Sequence, residues 1–179
     1  MSLLWQTLTF SVAARDVTDL GYPEAIRLKP YQVLLWVSIT HRGLQHLPSG
    51  TPRLPVLLDT GHNHNLSLRE EHLAHSGLET PWPWSGSSLK VRDASGIERD
   101  VPRLFVDVWL HRDAPQPDEK AHPLRLGFRG AACYPTRGSV QGPHLPLLGL
   151  AALCAGSLSL EFECHPAGGT IRLFVPATA

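Results

Sequence analysis

Asp59 is the residue with the most chemistry to offer. It closes the apolar run Pro55-Val56-Leu57-Leu58 and begins Asp59-Thr60-Gly61. A carboxylate where a strand stops is held by that strand, and a glycine two places on lets the backbone turn sharply. Such a group can take or give a proton in a reaction. A second apolar run ending in glycine, Leu145-Pro146-Leu147-Leu148-Gly149, lies downstream. Other reactive residue types lack a supporting pattern. Ser67, Ser76 and Ser157 sit in no Gly-x-Ser-x-Gly elbow. Cys133 has no neighbours that would make a thiolate, and Pro166-Ala167-Gly168-Gly169 reads as a hairpin turn, not a phosphate loop. His62-x-His64 and His72-x-x-His75 gather four imidazoles, the last two on one helix face. Zinc binds histidine, but no His-Glu-x-x-His is present. These rings are read as solvated or loop-bracing, with no metal and no cofactor assigned.

The elements that must position Asp59 are mostly strands. Leu3 to Ala13 predicts a first strand with Leu4, Gln6, Leu8 and Phe10 on one face. Tyr31 to Thr40 alternates strongly, and Leu54 to Leu58 feeds Asp59. Ser67-Leu68-Arg69-Glu70 has the spacing of a capping box and predicts a helix over about Leu68 to His75, stopping near Gly77. Leu89 to Arg92 and Ile97 to Arg103 predict a hairpin turning at Asp93-Ala94-Ser95-Gly96, and Leu104 to Leu110 a further strand. Asp113 to Pro123 reads as a loop, and Leu124 to Phe128 as a strand. Leu150 to Ala155 predicts a short helix ending at Gly156. Leu158 to Cys164 and Thr170 to Val175 predict the last hairpin. Many short strands between turn signals argue for an all-β barrel or sandwich with two short helices.

The two glycine-ended runs together resemble the active-site framework of retropepsin-like aspartic peptidases. In that family an Asp-Thr/Ser-Gly loop carries the catalytic carboxylate. A later hydrophobic-hydrophobic-Gly segment packs beside it and leads into a short helix. A turn and short helix ending in Gly-Leu, as at Gly77-Leu78, is similar to the bacterial members. The resemblance covers about residues 30 to 176, within a single domain of residues 1–179, and implies a closed β-barrel.

It also implies a mechanism. Peptide hydrolysis without a metal or covalent nucleophile needs one carboxylate as base and one as acid. Two aspartates about 3 Å apart cannot both ionise and therefore share a proton, the arrangement for which aspartic proteases are the standard example. The chain has one Asp-Thr-Gly, and Asp93-Ala94-Ser95-Gly96 carries an extra residue. Asp59 must then meet Asp59 of a second copy across a two-fold axis. Thr60 would lock the two loops, Gly61 would permit the turn, and Gly149 would let Leu147 and Leu148 pass close to it. Residues Asp93, Ala94, Ser95, Gly96 and Ile97 would form a flap over peptide. Terminal strands such as Thr170 to Val175 would add to the dimer by covering open edges. The family usually has Ala or Ser where this chain has His62. At least one of His62 and His64 is therefore expected to line and narrow the cleft, where a protonated imidazole would favour the ionised carboxylate; the alternative is that both rings face solvent and brace the loop. The same features allow a second reading, a catalytically inactive retropepsin-like module that binds a peptide or partner. A metal-dependent hydrolase using the histidines is a third.

Composition narrows the partners. The 179 residues are 42% hydrophobic and 18% charged, with a formal net charge of zero. This suits a globular core and argues against nucleic acid. No apolar stretch has the length of a membrane span, and the start lacks a basic signal region. The cysteines Cys133, Cys154 and Cys164 have no Cys-x-x-Cys spacing and read as buried free thiols of a cytoplasmic protein. The expected partners are a peptide or protein substrate and a second copy of the chain.

Overall fold

A computed structural model describes residues 2–18, 25–78, 82, 84–92, 96–112, 121–136 and 142–176. In chain order its strands are β1 (Ser2–Ser11), β2 (Arg15–Val17), β3 (Ile26–Leu28), β4 (Val33–His41), β5 (Leu54–Asp59) and β6 (Leu66–Arg69). After helix α1 (Glu70–His75) come β7 (Trp84–Arg92), β8 (Glu98–Leu104), β9 (Val106–Leu110), β10 (His122–Leu124), β11 (Ala131–Tyr134) and β12 (Leu147–Gly149). Helix α2 (Leu150–Ala155) then leads to the hairpin of β13 (Ser159–His165) and β14 (Gly168–Pro176). The chain is mostly β with two short α-helices, as the turn-punctuated pattern implied.

The largest sheet has nine strands in the order β10-β9-β4-β5-β12-β6-β11-β8-β7. Among the described residues it is open, with β10 and β7 at its edges, so the closed barrel expected from the resemblance is not formed. β10 has only three residues and pairs only with β9, too short a ladder to carry the sheet round to β7. A three-stranded sheet, β1-β14-β13, and a two-stranded one, β2-β3, complete the strands. β14 is central in its sheet, so its edges are already covered, contrary to the expectation for Thr170 to Val175. The edges there are β1 and β13, which carry exposed Leu3, Leu4 and Phe162.

β4 shows why both faces of the large sheet matter. Val33, Leu35, Val37 and Ile39 enter the main core, while Leu34 and Trp36 pack on Ile26 and Leu28 of β3. With a side-chain period of two, the strand is buried on both sides only because β3 lies across its second face. The main core runs through Val56, Leu66, Leu68, Leu104, Leu148 and Leu153. Each such side chain contributes about 1.5–3 kcal/mol by leaving water. A third cluster, Val91, Val101, Ala132 and Tyr134, joins the β7–β8 hairpin to β11.

Several local expectations shift. In β1 a bulge between Leu4 and Gln6 breaks the alternation, so Leu4 is exposed while Gln6 and Leu8 are buried. Ser67 is not the cap of α1. It lies in β6, paired with Ala132 and Leu147, and the helix begins at Glu70. The Arg69 N–H there donates to His72 Nδ1 at 3.0 Å, so an imidazole does the work expected of Glu70. The strand expected over Leu124 to Phe128 ends at Leu124, and Gly127–Arg129 form a 3₁₀ turn with Gly127 at φ +60°. Cys133 is buried, but Cys154 and Cys164 are exposed. Cys164 lies on a strand whose residues face water on both sides, and Cys154 is on the outer face of α2.

Candidate active site

The geometry around Asp59 begins with strand pairing. β12 lies between β5 and β6, parallel to the first and antiparallel to the second. Leu147 is opposite Leu57, Leu148 opposite Leu58, and Gly149 opposite Asp59. The Leu57 N–H donates to Pro146 O at 2.8 Å, and the Gly149 N–H to Asn65 O at 2.9 Å. A Cβ on Gly149 would strike the carbonyl oxygens of His64 and His62, the latter at 2.7 Å. Glycine is therefore required where α2 departs, because the chain leaving Asp59 crosses directly over it. Leu148 is fully buried in the main core beneath.

The turn itself is tight for another reason than the one expected. Gly61 does not adopt a left-handed backbone. Its N–H donates to Asp59 Oδ1 at 2.9 Å, while the His62 N–H donates to Asp59 O at 3.1 Å. A Cβ on Gly61 would sit 3.4 Å from Asp59 Oδ1, an ordinary van der Waals contact. Thr60 is exposed on the turn. Asn65 braces the far side: it is buried, and its amide donates to Leu126 O at 3.2 Å and to Gly130 O at 3.3 Å.

In register across the sheet lie Leu57, Leu147, Ser67 and Ala132. Opposed residues share a face, and Asp59, two places beyond Leu57, shares it too. This is the face away from the main core. On it Asp59, Gly61, His62, Ser67 and Leu147 meet Val91 and Arg92 of the hairpin, with Tyr134, Gly142 and Pro143 closing a cavity of about 510 Å³. That volume is within the range of small-molecule and side-chain sites. Of the residues expected to form a flap, Asp93, Ala94 and Ser95 lie outside the described residues. Gly96 and Ile97 are exposed at the end of the β7–β8 hairpin, where Arg92 pairs with Glu98.

His62 is in the cavity wall, and its ring meets His64 edge-on with centroids 5.5 Å apart. Burial lowers the His62 pKa, His64 lowers it further, and Asp59 acts weakly against both. Burial likewise lowers that of His64, against a hydrogen bond to the Lys90 main chain. The protonated imidazole expected beside Asp59 is therefore disfavoured at neutral pH, because desolvation outweighs the carboxylate. The other histidine pair is occupied. His72 Nδ1 accepts from Arg69, which leaves Nε2–H to donate to His144 O at 3.1 Å. Among the described residues no group of three or more His, Cys, Asp or Glu side chains is arranged to hold a metal ion. Nor is any helix there long and apolar enough to cross a membrane.

Sequence reading missed Ser67, Val91, Arg92, Tyr134, Gly142 and Pro143 as neighbours of Asp59. A signal existed only for Ser67, whose apolar neighbours Leu66 and Leu68 alternate around it as in a strand. The chain matches no protein-family model, no curated protein and no solved structure.

Proposed function

We propose that the chain is an aspartic endopeptidase of retropepsin-like type, working as a homodimer with one Asp59 from each copy. The observation that carries this reading is the pairing of Gly149 with Asp59 on a cavity floor beneath a hairpin. A half-buried carboxylate is held there by a main-chain N–H and backed by a strand that only glycine lets come so close. In the dyad one ionised Asp59 takes a proton from water while the protonated partner gives one to the departing amide. The Gly61 N–H fixes one oxygen of the carboxylate, and Thr60, exposed beside it, is free to bond across the two-fold axis. In this reading the nine-stranded sheet is the retropepsin-like lobe, open at β7 so that the β7–β8 hairpin can move over a peptide. Exposed Leu3, Leu4 and Phe162 on the edges of the small sheet supply apolar surface for a second copy. The free cysteines fit the reducing cytoplasm, and zero net charge fits a peptide rather than a nucleic-acid partner.

A second reading, a binding module that holds a peptide without cutting it, is favoured by one observation: a bulky neutral imidazole, His62, fills part of the cavity wall. Turnover of a peptide library by the parent chain and by Asp59→Asn, together with sedimentation at micromolar concentration, separates the two. The peptidase reading expects a dimer and cleavage that Asp59→Asn abolishes. A monomer with and without peptide, or full cleavage by Asp59→Asn, overturns it.

A further inference from the structure

Among the described residues, two buried polar atoms of the cavity wall have no hydrogen-bond partner. Ser67 is 1% exposed, and its Oγ has no hydrogen-bond partner. His62 Nε2 is also buried without one. Both residues line the Asp59 cavity. Buried polar atoms are nearly always paired, and leaving one alone is unfavourable. Alanine at 67 would remove that burden and keep the main-chain ladder, so the hydroxyl costs the fold stability unless a bound group answers it.

The rest of the wall says what would answer it. Val91, Leu147 and Pro143 are apolar. Asp59 and Arg92 bring opposite charges, so the wall favours neither sign of charge over the other. A serine hydroxyl can both donate and accept, and an unoccupied nitrogen of a neutral imidazole does one or the other. The uncharged side chain that offers both a strong acceptor and a donor pair is a carboxamide. We propose that this cavity is a side-chain subsite for an Asn or Gln of a bound peptide, with Ser67 and His62 as its specificity-determining residues. The inference rests on the reading that the cavity receives a peptide, but not on cleavage.

The test uses the full-length parent chain, with both charges of the cavity in place, and sets of synthetic peptides in which one position at a time is Asn or Gln, Leu or Met, Asp or Glu, or Lys, each peptide checked for integrity after its binding is measured. At one position the carboxamide peptide should bind about tenfold more tightly than its apolar counterpart, the worth of one well-made hydrogen bond. It should also bind more tightly than the charged peptides. Ser67→Ala in the same background should shrink the carboxamide-to-apolar ratio to within about twofold, and should raise the melting temperature by about 2–4 °C by deleting an unpaired buried group. No position preferring a carboxamide, a preference that survives Ser67→Ala, a lowered melting temperature in that variant, or no peptide bound at all each overturns the subsite. Turnover by the parent is scored separately. Carboxamide-selective binding without turnover retires the peptidase and keeps the subsite; turnover without selectivity does the reverse.

Discussion

Ser38 and Ser67 are both buried serines in strands of the nine-stranded sheet, yet their hydrogen bonding differs completely. Ser38 Oγ donates to Pro52 O at 2.8 Å and lies 2.8 Å from His111 Nε2. Its one proton goes to the carbonyl, so His111 must carry its proton on Nε2 and donate. Ser67 Oγ and His62 Nε2 have no partners among the described residues and share the wall of a cavity. The close Ser38–His111 pair looks like a nucleophile and its base, but it is fully buried with the proton facing the wrong way. The same residue types are thus used in two ways: Ser38 is bonded within the fold, and Ser67 keeps an unanswered hydroxyl in the wall of the Asp59 cavity.

The comparison predicts that changes in the cavity cost activity and changes at Ser38 cost stability. The largest effect should come from Asp59→Asn, which should lower turnover at least about 10³-fold, since general acid–base catalysis is removed from both halves of the dyad. Its unfolding free energy should stay within about 0.5 kcal/mol of the parent, as for a surface change. Mixing the two chains and allowing exchange should make activity fall as the square of the parent fraction. A linear fall would place a complete site in one chain.

Gly149→Ala should be next. Its Cβ meets main-chain oxygens of His62 and His64, which cannot rotate away, and overpacking of this kind costs about 3 kcal/mol. Urea unfolding checks this, and an unchanged midpoint would mean that the Asp59 turn yields easily.

Ser38→Ala should cost about 2 kcal/mol, because it strands the His111 donor in the interior and removes the bond to the Pro52 carbonyl. Ser67→Ala should move stability the other way. If both serines destabilise on truncation, the distinction drawn between them fails.

The smallest effect is a pH slope. Burial pushes both His111 and His72 down to about 4 from the ordinary 6.5, with Arg53 adding to the fall at His111 and the His144 main-chain bond opposing it at His72. Between those values the unfolded chain binds protons that the folded chain refuses. Stability is therefore complete above pH 6.5 and declines toward pH 4, by up to about 1.4 kcal/mol per pH unit for each histidine. His111→Gln, which keeps a donor for Ser38, should flatten the decline by one proton's worth in urea titrations between pH 7 and 4.5. The same decline would cut off the acid limb of the bell-shaped pH–rate profile expected of a carboxylate pair.

Parts of the site could be read directly along the chain. Alternation and a terminal glycine announced β5, β12, α2 and the β13–β14 hairpin, and Asp59 stood out because a carboxylate ended an apolar run. Ser67 was misread because Ser-x-x-Glu is a local pattern that fits a helix start. A strand claimed it instead, since β11 and β12 offered ladder partners on both sides. β11 itself, Ala131–Tyr134, is short and opens with small side chains, so it gives no periodic signal at all. The sequence by itself determined the mostly β character and the single Asp-Thr-Gly, while the glycine that lies against it was implied only by the family resemblance. These follow from side-chain period, turn chemistry and residue type, which act over a few neighbouring positions. Tertiary structure alone decided that β12 enters between β5 and β6, that the sheet stays open at β7, and that His62 is desolvated. It also decided which serine has partners. Those depend on which distant segments arrive beside a residue, and that is set by the packing of the whole chain.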